Sequence, residues 1–273
     1  MKTLNEYITE KLKVSKNQNQ NKYNYCPQTR EELDDLLDQL LKERGWEADL
    51  NDIDTSNITD MSGLFAKYRV DINKFKYNKN YNFSEFNGDI SKWDVSNVTD
   101  MEGIFYWCEK FEGKGLENWD VSNVINMKYM FYNCITFNYN LSNWDVSNVT
   151  NMHGMFYWCI NFDGKCLENW DVSNVKNMCE MFYGCEKLNC DLSNWDVSNV
   201  ENMKFMFGSC FNFEGKGLEN WDVSNVIDMY MMFYNCEKLD CDLSGWNVSN
   251  ITQYDTYIFY KCPIKAEYKP KFE

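Results

Sequence analysis

Apolar residues recur along most of this chain in a pattern 25 or 26 residues long. Its marker is tryptophan: Trp93, Trp119, Trp144, Trp170, Trp195, Trp221 and Trp246 follow one another at alternating intervals of 26 and 25. The segment from Leu141 to Cys159 shows the two halves of one unit. Leu141, Trp144 and Val146 read as the inward positions of a short strand, with Asn143, Asp145 and Ser147 facing out. Met152, Met155, Phe156 and Cys159 then fall at i, i+3, i+4 and i+7, one face of a short helical turn. The residue before this Met is always Asp or Asn (Asp60, Asp100, Asn126, Asn151, Asn177, Asn202, Asp228). Such residues are favoured helix N-caps, each worth roughly 1 kcal/mol against Ala. Each unit therefore reads as strand, turn, capped helical turn and return.

A unit this small cannot bury its own apolar face, whereas stacked copies bury a continuous core. The pattern thus predicts a repeat solenoid. In it, strands about 4.8 Å apart form a parallel β-sheet on one face, with short helical turns on the other. The first unit starts at Ile53, in the Trp position, and is followed by an insertion from Arg69 to Asn82 that is expected to bulge as a loop. The last unit is degenerate, with Asn247 for Asp, Tyr254 for Met and Cys262 displaced by one. Upstream, Leu33, Leu36, Leu37, Leu40 and Leu41 have helical spacing, Thr29 is placed to cap, and Gly45 closes the end. This helix is expected to cover the open end of the stack. The division expected is 1–29 as a flexible tail (with a short amphipathic helix over Met1 to Val14), 30–50 as capping helix, 51–262 as solenoid and 263–273 as C-terminal tail. The solenoid would have about eight coils.

Composition narrows what such a stack does. The 273 residues are 44% apolar and 17% aromatic, which excludes wholesale disorder. A net charge of −15 argues against nucleic acid and anionic membrane as partners. No apolar run approaches the length of a membrane span, and Met1 to Lys16 has no apolar leader core, so the expected location is cytoplasmic or particle-associated. Six of the 12 cysteines (Cys108, Cys134, Cys159, Cys185, Cys210 and Cys236) each fall 15 residues after a repeat Trp. They read as free thiols stacked in the core rather than as disulfides. There is no C-x-x-C pair, and the single His153 reads as a surface residue without a catalytic role. No metal site and no cofactor are therefore expected.

The candidate site is an acidic ladder: Asp94, Asp120, Asp145, Asp171, Asp196 and Asp222, one after each Trp on the outward face. Carboxylates at strand spacing repel by about 1 kcal/mol per pair in water. Something must compensate. One reading is structural, each Asp accepting bonds from the turn that follows it. A second makes the row a stripe for a basic protein partner, and a third a stack for Ca²⁺. No nucleophile–base pair and no phosphate-binding loop is present, so enzyme activity is not expected.

The repeated W-D-V-S-N-V-x-[ND]-M-x-x-M-F-x-x-C, over about residues 53–262, resembles the BspA-like leucine-rich repeat family, in particular its mycoplasma-type surface-protein repeat of unknown function. The resemblance implies a right-handed, leucine-rich-repeat-like coil used for protein–protein contact, and, in secreted members, adhesion at the cell surface. The expected role is a non-enzymatic interaction scaffold. The alternatives are a structural component of a particle or envelope, or a Ca²⁺-dependent adhesin.

Overall fold

The computed structural model describes residues 23–66, 83–251 and 257–272. The expected helix over Met1 to Val14 and the Arg69 to Asn82 insertion lie outside them.

The repeating unit is built from tight turns. In its first half the Trp144 amide donates back to the Leu141 carbonyl at 3.1 Å and that of Val149 to Val146 at 2.9 Å. Between them the Asp145 carboxylate accepts the Ser147 amide at 3.0 Å. A turn every three or four residues leaves no run long enough for a strand. In the second half, bonding alternates. Amides of Met101, Gly103, Phe105 and Trp107 donate forward, to Asn126, Lys128, Met130 and Tyr132 of the next unit, at 2.7–3.0 Å. Those of Ile104, Tyr106 and Cys108 donate three residues back, at 2.9–3.2 Å. Gly103 and Trp107 have φ of 60° and 63°, and the same two places in later units are occupied by Tyr129 and Asn133, Gly154 and Trp158, Glu180 and Gly184, all with positive φ. This is the third position of a type II turn.

The leucine-rich-repeat solenoid with a parallel β-sheet on one face and helical turns on the other is therefore not what this chain forms. Among the described residues there is no β-strand and no sheet. From Asp60 on, neighbouring units are bridged in parallel at single residues, Asp60 to Asp100, Asn126, Asn151, Asn177, Asn202 and Asp228 in succession. These bridges lie at the Asp or Asn before Met, not at the expected Leu–Trp–Val strand. Nor is that residue a helix cap. Its side chain accepts the amide two residues on, as Asn151 does from His153 at 3.1 Å, and so starts a turn.

The core nevertheless runs unbroken through the units. Every repeat Trp, Met and Phe named above is buried, as are the six ladder cysteines Cys108 to Cys236. Phe65, Phe105, Phe131, Phe156, Phe182, Phe207, Phe233 and Phe259 stack in one column, with centroids 5.5–5.8 Å apart. Each repeat Trp bonds backwards through its indole N–H. Trp144 reaches the Leu116 carbonyl at 2.7 Å and Trp170 that of Leu141 at 3.1 Å. Each ladder Cys does the same with its thiol, as from Cys159 to the Phe131 carbonyl at 2.9 Å. Burying a Trp removes 150–250 Å² of surface, a gross gain of about 4–6 kcal/mol per unit.

Ahead of the units, helix α1 (Arg30–Arg44) places Leu33, Leu36, Leu37, Leu40 and Leu41 in the same core. The Thr29 hydroxyl accepts the Glu32 amide at 3.2 Å, and Gly45 ends the helix with φ of 84°. Residues 23–25, expected to be part of a tail, are bound to the first unit: Tyr25 bridges Ile53 and is itself buried.

The alternating unit length also has a structural basis. Two of the longer returns form 3-10 turns at Leu116–Asn118 and Leu218–Asn220. Their preceding Gly115 and Gly217 have φ near 90°, and a Cβ on either would come within 2.2 Å of the unit before. The third such return has Cys166 at this place, and its 3-10 turn sits two residues earlier, at Lys165–Leu167.

Candidate functional site

Two faces of the stack carry polar chemistry. On the first, Asp94, Asp120, Asp145, Asp171, Asp196 and Asp222 are all exposed, at one register. In each, one carboxylate oxygen accepts the amide of the Ser two residues on, at 3.0–3.1 Å. This is the turn-forming arrangement, and it fixes the carboxylate's direction. The serine hydroxyl and amide hold Asp145, Asp196 and Asp222 below the usual carboxylate range, so these three stay ionised well into acid. Among the described residues none of the six has an ion-pair partner within 4.0 Å. The next two residues tie the ladder together. Asn97, Asn123, Asn148, Asn174, Asn199, Asn225 and Asn250 each donate from the side-chain amide to a serine carbonyl one unit back, at 2.5–2.8 Å.

The second face is the outside of the turn-rich half, which sequence reasoning passed over. Tyr106, Tyr132, Tyr157 and Tyr183 lie 13 residues after successive Trp residues. Their rings stack with centroids 4.6, 4.4 and 5.0 Å apart. Gly208 interrupts the row, its backbone lying against the Tyr183 ring. Lysines border this face, with Lys128 over Tyr129 at 4.9 Å and Lys204 over Tyr230 at 5.5 Å. Burial and the neighbouring Tyr157 push the Tyr132 phenol far above its ordinary value. The fixed Trp-to-Tyr spacing is the signal that was available.

Beside this row lies His153, expected as a surface residue without a catalytic role and found half-buried among partners. Its side chain is 22% exposed, its Nε2 is 3.0 Å from the Tyr129 hydroxyl and 3.6 Å from a Glu180 carboxylate oxygen. Cys179 is adjacent, and ligand atoms of His153, Cys179 and Glu180 all lie within 4.8 Å of one another. Spacing rules looked for ligands close in sequence. Here the stack supplies them from neighbouring units, His153 and Cys179 each being the residue after the Met in their own unit.

The thiol ladder, by contrast, has no access to solvent. Cys108, Cys134, Cys159, Cys185, Cys210 and Cys236 are fully buried and unpaired by disulfide. Burial raises each of these thiols well above its ordinary value, so they are protonated donors. Where Cys166 replaces glycine, a shallow cleft opens between Tyr139, Asn140, Ser142, Asp163 and Lys165.

A repeat built from turns, a core of stacked Phe, Trp and Met, and one carboxylate per unit on the surface define a class of repeat protein. The family model described as Mycoplasma protein of unknown function, DUF285, matches residues 31–84, 73–166 and 159–268. The chain belongs to that family. No match was found among curated proteins or among solved structures.

Proposed function

We propose that this protein is a non-enzymatic protein-interaction scaffold that engages a basic partner through its acidic ladder. The observation that carries this reading is the row Asp94 to Asp222: exposed carboxylates in constant register, each oriented by its own turn, and without ion-pair partners among the described residues. A partner with regularly spaced Lys or Arg gains one contact per unit, and a net charge of −15 steers such a partner in from a distance. The resemblance of the W-D-V-S-N-V unit to BspA-like repeats, whose members serve contact and adhesion, points the same way.

The test keeps the fold and removes the charge. Asn accepts the same turn bond as Asp, so the triple variant Asp145→Asn, Asp171→Asn, Asp196→Asn should keep the wild-type melting temperature. Binding of a lysine-rich peptide, measured by calorimetry at low salt, is expected to weaken at least about tenfold in the variant and to weaken with salt in wild type. Equal binding by both proteins would remove the ladder from the interaction.

A further inference from the structure

The geometry points to a metal site: we infer that His153, Cys179 and Glu180 bind one divalent ion of the zinc class across two neighbouring units. Nothing in the repeat requires these residues. At the place after the Met, other units carry Glu102, Lys128, Lys204 and Tyr230. Only here does a His stand one unit from a Cys, with a Glu immediately following the Cys.

The stack brings the three together. The turn-starting Asn151 and Asn177 hold the amides of His153 and Cys179 at 3.1 and 3.0 Å, so both side chains leave the backbone at the same corner. The Asn151 to Asn177 bridge and the 2.8 Å bond from the Gly154 amide to the Cys179 carbonyl set the spacing between the two units. Glu180 has φ of 57°, the left-handed place of the turn. Its carboxylate lies on His153, at 3.6 Å. Gly154 has the matching place in the unit before, and without a side chain there the Tyr129 ring lies across it. That brings the phenol oxygen to 3.0 Å from the imidazole.

The donor set is one imidazole nitrogen, one thiolate and one carboxylate, the mixture a borderline divalent ion prefers. Thiolate and carboxylate together neutralise its charge. A tetrahedral zinc with bonds of about 2.0–2.3 Å holds its ligand atoms about 3.3–3.8 Å apart. Since the three lie within 4.8 Å already, closing the set takes about 1 Å of side-chain motion. Three protein ligands leave a fourth position for water, with the Tyr129 hydroxyl beside it. His153 and Glu180 are about a quarter exposed, which gives the ion an entry path, while Cys179 is buried. Before an ion binds, burial holds the Cys179 thiol protonated, with a pKa pushed up to about 12; Glu180 and Asp228 reinforce this and Lys204 opposes it. Binding therefore displaces that proton to solvent.

The test uses the full chain, stripped with chelator, and cobalt(II) as the probe. Wild type is expected to take up one equivalent, with visible d–d absorption of tetrahedral cobalt and a near-ultraviolet thiolate-to-cobalt band, both bleached by zinc(II). Cys179→Ser should abolish the thiolate band, and His153→Gln should weaken affinity at least about tenfold. Cys241→Ser, a half-buried thiol elsewhere, should change neither. The metal-free melting temperatures of the variants serve as the fold control, and His153→Gln carries the test alone if Cys179→Ser does not fold. No stoichiometric uptake by folded wild type, or an undiminished thiolate band in folded Cys179→Ser, would overturn the assignment.

Discussion

Trp170 does two jobs at once. Its ring is 3% exposed inside the core, and its indole N–H donates to the Leu141 carbonyl at 3.1 Å. That carbonyl already accepts the Trp144 amide of its own unit, at 3.1 Å. The indole thus supplies its second bond, and the bond crosses from one unit to the next. The two roles can be separated. Trp170→Phe keeps most of the ring and leaves the carbonyl with one partner, so it should cost about 1–2 kcal/mol. Trp170→Ala opens a cavity as well and should cost about 3–5 kcal/mol. Equilibrium urea denaturation of the three proteins gives both differences. Equal losses would assign the whole effect to the bond, and a loss below about 1 kcal/mol for Ala would contradict the burial.

At the scale of the element, the sequence was legible where one residue type has one structural meaning. The five leucines, Thr29 and Gly45 specified helix α1, because local spacing, cap and terminator all agree there. The Trp, Met, Phe and Cys columns were legible as core because their period survives any backbone that brings each unit back to the same place. The backbone between them was not. Apolar residues at i, i+3, i+4 and i+7 fit a helix, but they equally fit a chain that turns every three or four residues. Bonding decided between the two: alternate amides of Met101 to Trp107 leave the unit instead of closing i to i−4 bonds. The cue was Gly103 and Gly154 at the left-handed turn place, hidden because Tyr129, Glu180, Phe205 and Met231 fill it elsewhere. The His153 cluster was hidden for a related reason, since its ligands meet only once the units are stacked. Glycines also give a direct test of the turns. A Cβ on Gly103 meets nothing closer than 3.5 Å, so Gly103→Ala should cost only the left-handed strain, about 1 kcal/mol. A Cβ on Gly217 would lie 2.2 Å from the Ser193 backbone nitrogen, so Gly217→Ala must move backbone and should cost about 3 kcal/mol or more. Thermal melts of the two variants should rank them in that order; equal losses would mean that the units do not approach as closely as described.

Over the whole molecule the thiol ladder ties stability to alkaline pH. Each of the six buried thiols donates to a Phe carbonyl in the unit before, as Cys185 does to Phe156 at 3.0 Å and Cys210 to Phe182 at 3.0 Å. Burial keeps them protonated far above the ordinary thiol value of 9.0, whereas the unfolded chain ionises there. For a group whose folded pKa is raised, the stabilising term is complete below the unfolded value and is lost as pH climbs above it. One thiol then loses about 1.4 kcal/mol by one pH unit above its unfolded value, and six lose about 8 kcal/mol together. That approaches the total stability of an ordinary domain, about 5–15 kcal/mol. The protein should therefore hold its melting temperature from neutral pH to about 8.5 and unfold steeply between about pH 9 and 10.5, with loss of the near-ultraviolet signal of its stacked aromatics. Replacing Cys159, Cys185 and Cys210 together by Ala removes half of the coupling. That variant should start less stable but lose stability with pH half as steeply above 9. A wild-type melting temperature unchanged at pH 10.5 would show the thiols ionising freely in the folded state, which their burial between successive units forbids. The dependence belongs to the molecule rather than to any one cysteine, because the repeat places the same buried proton in unit after unit.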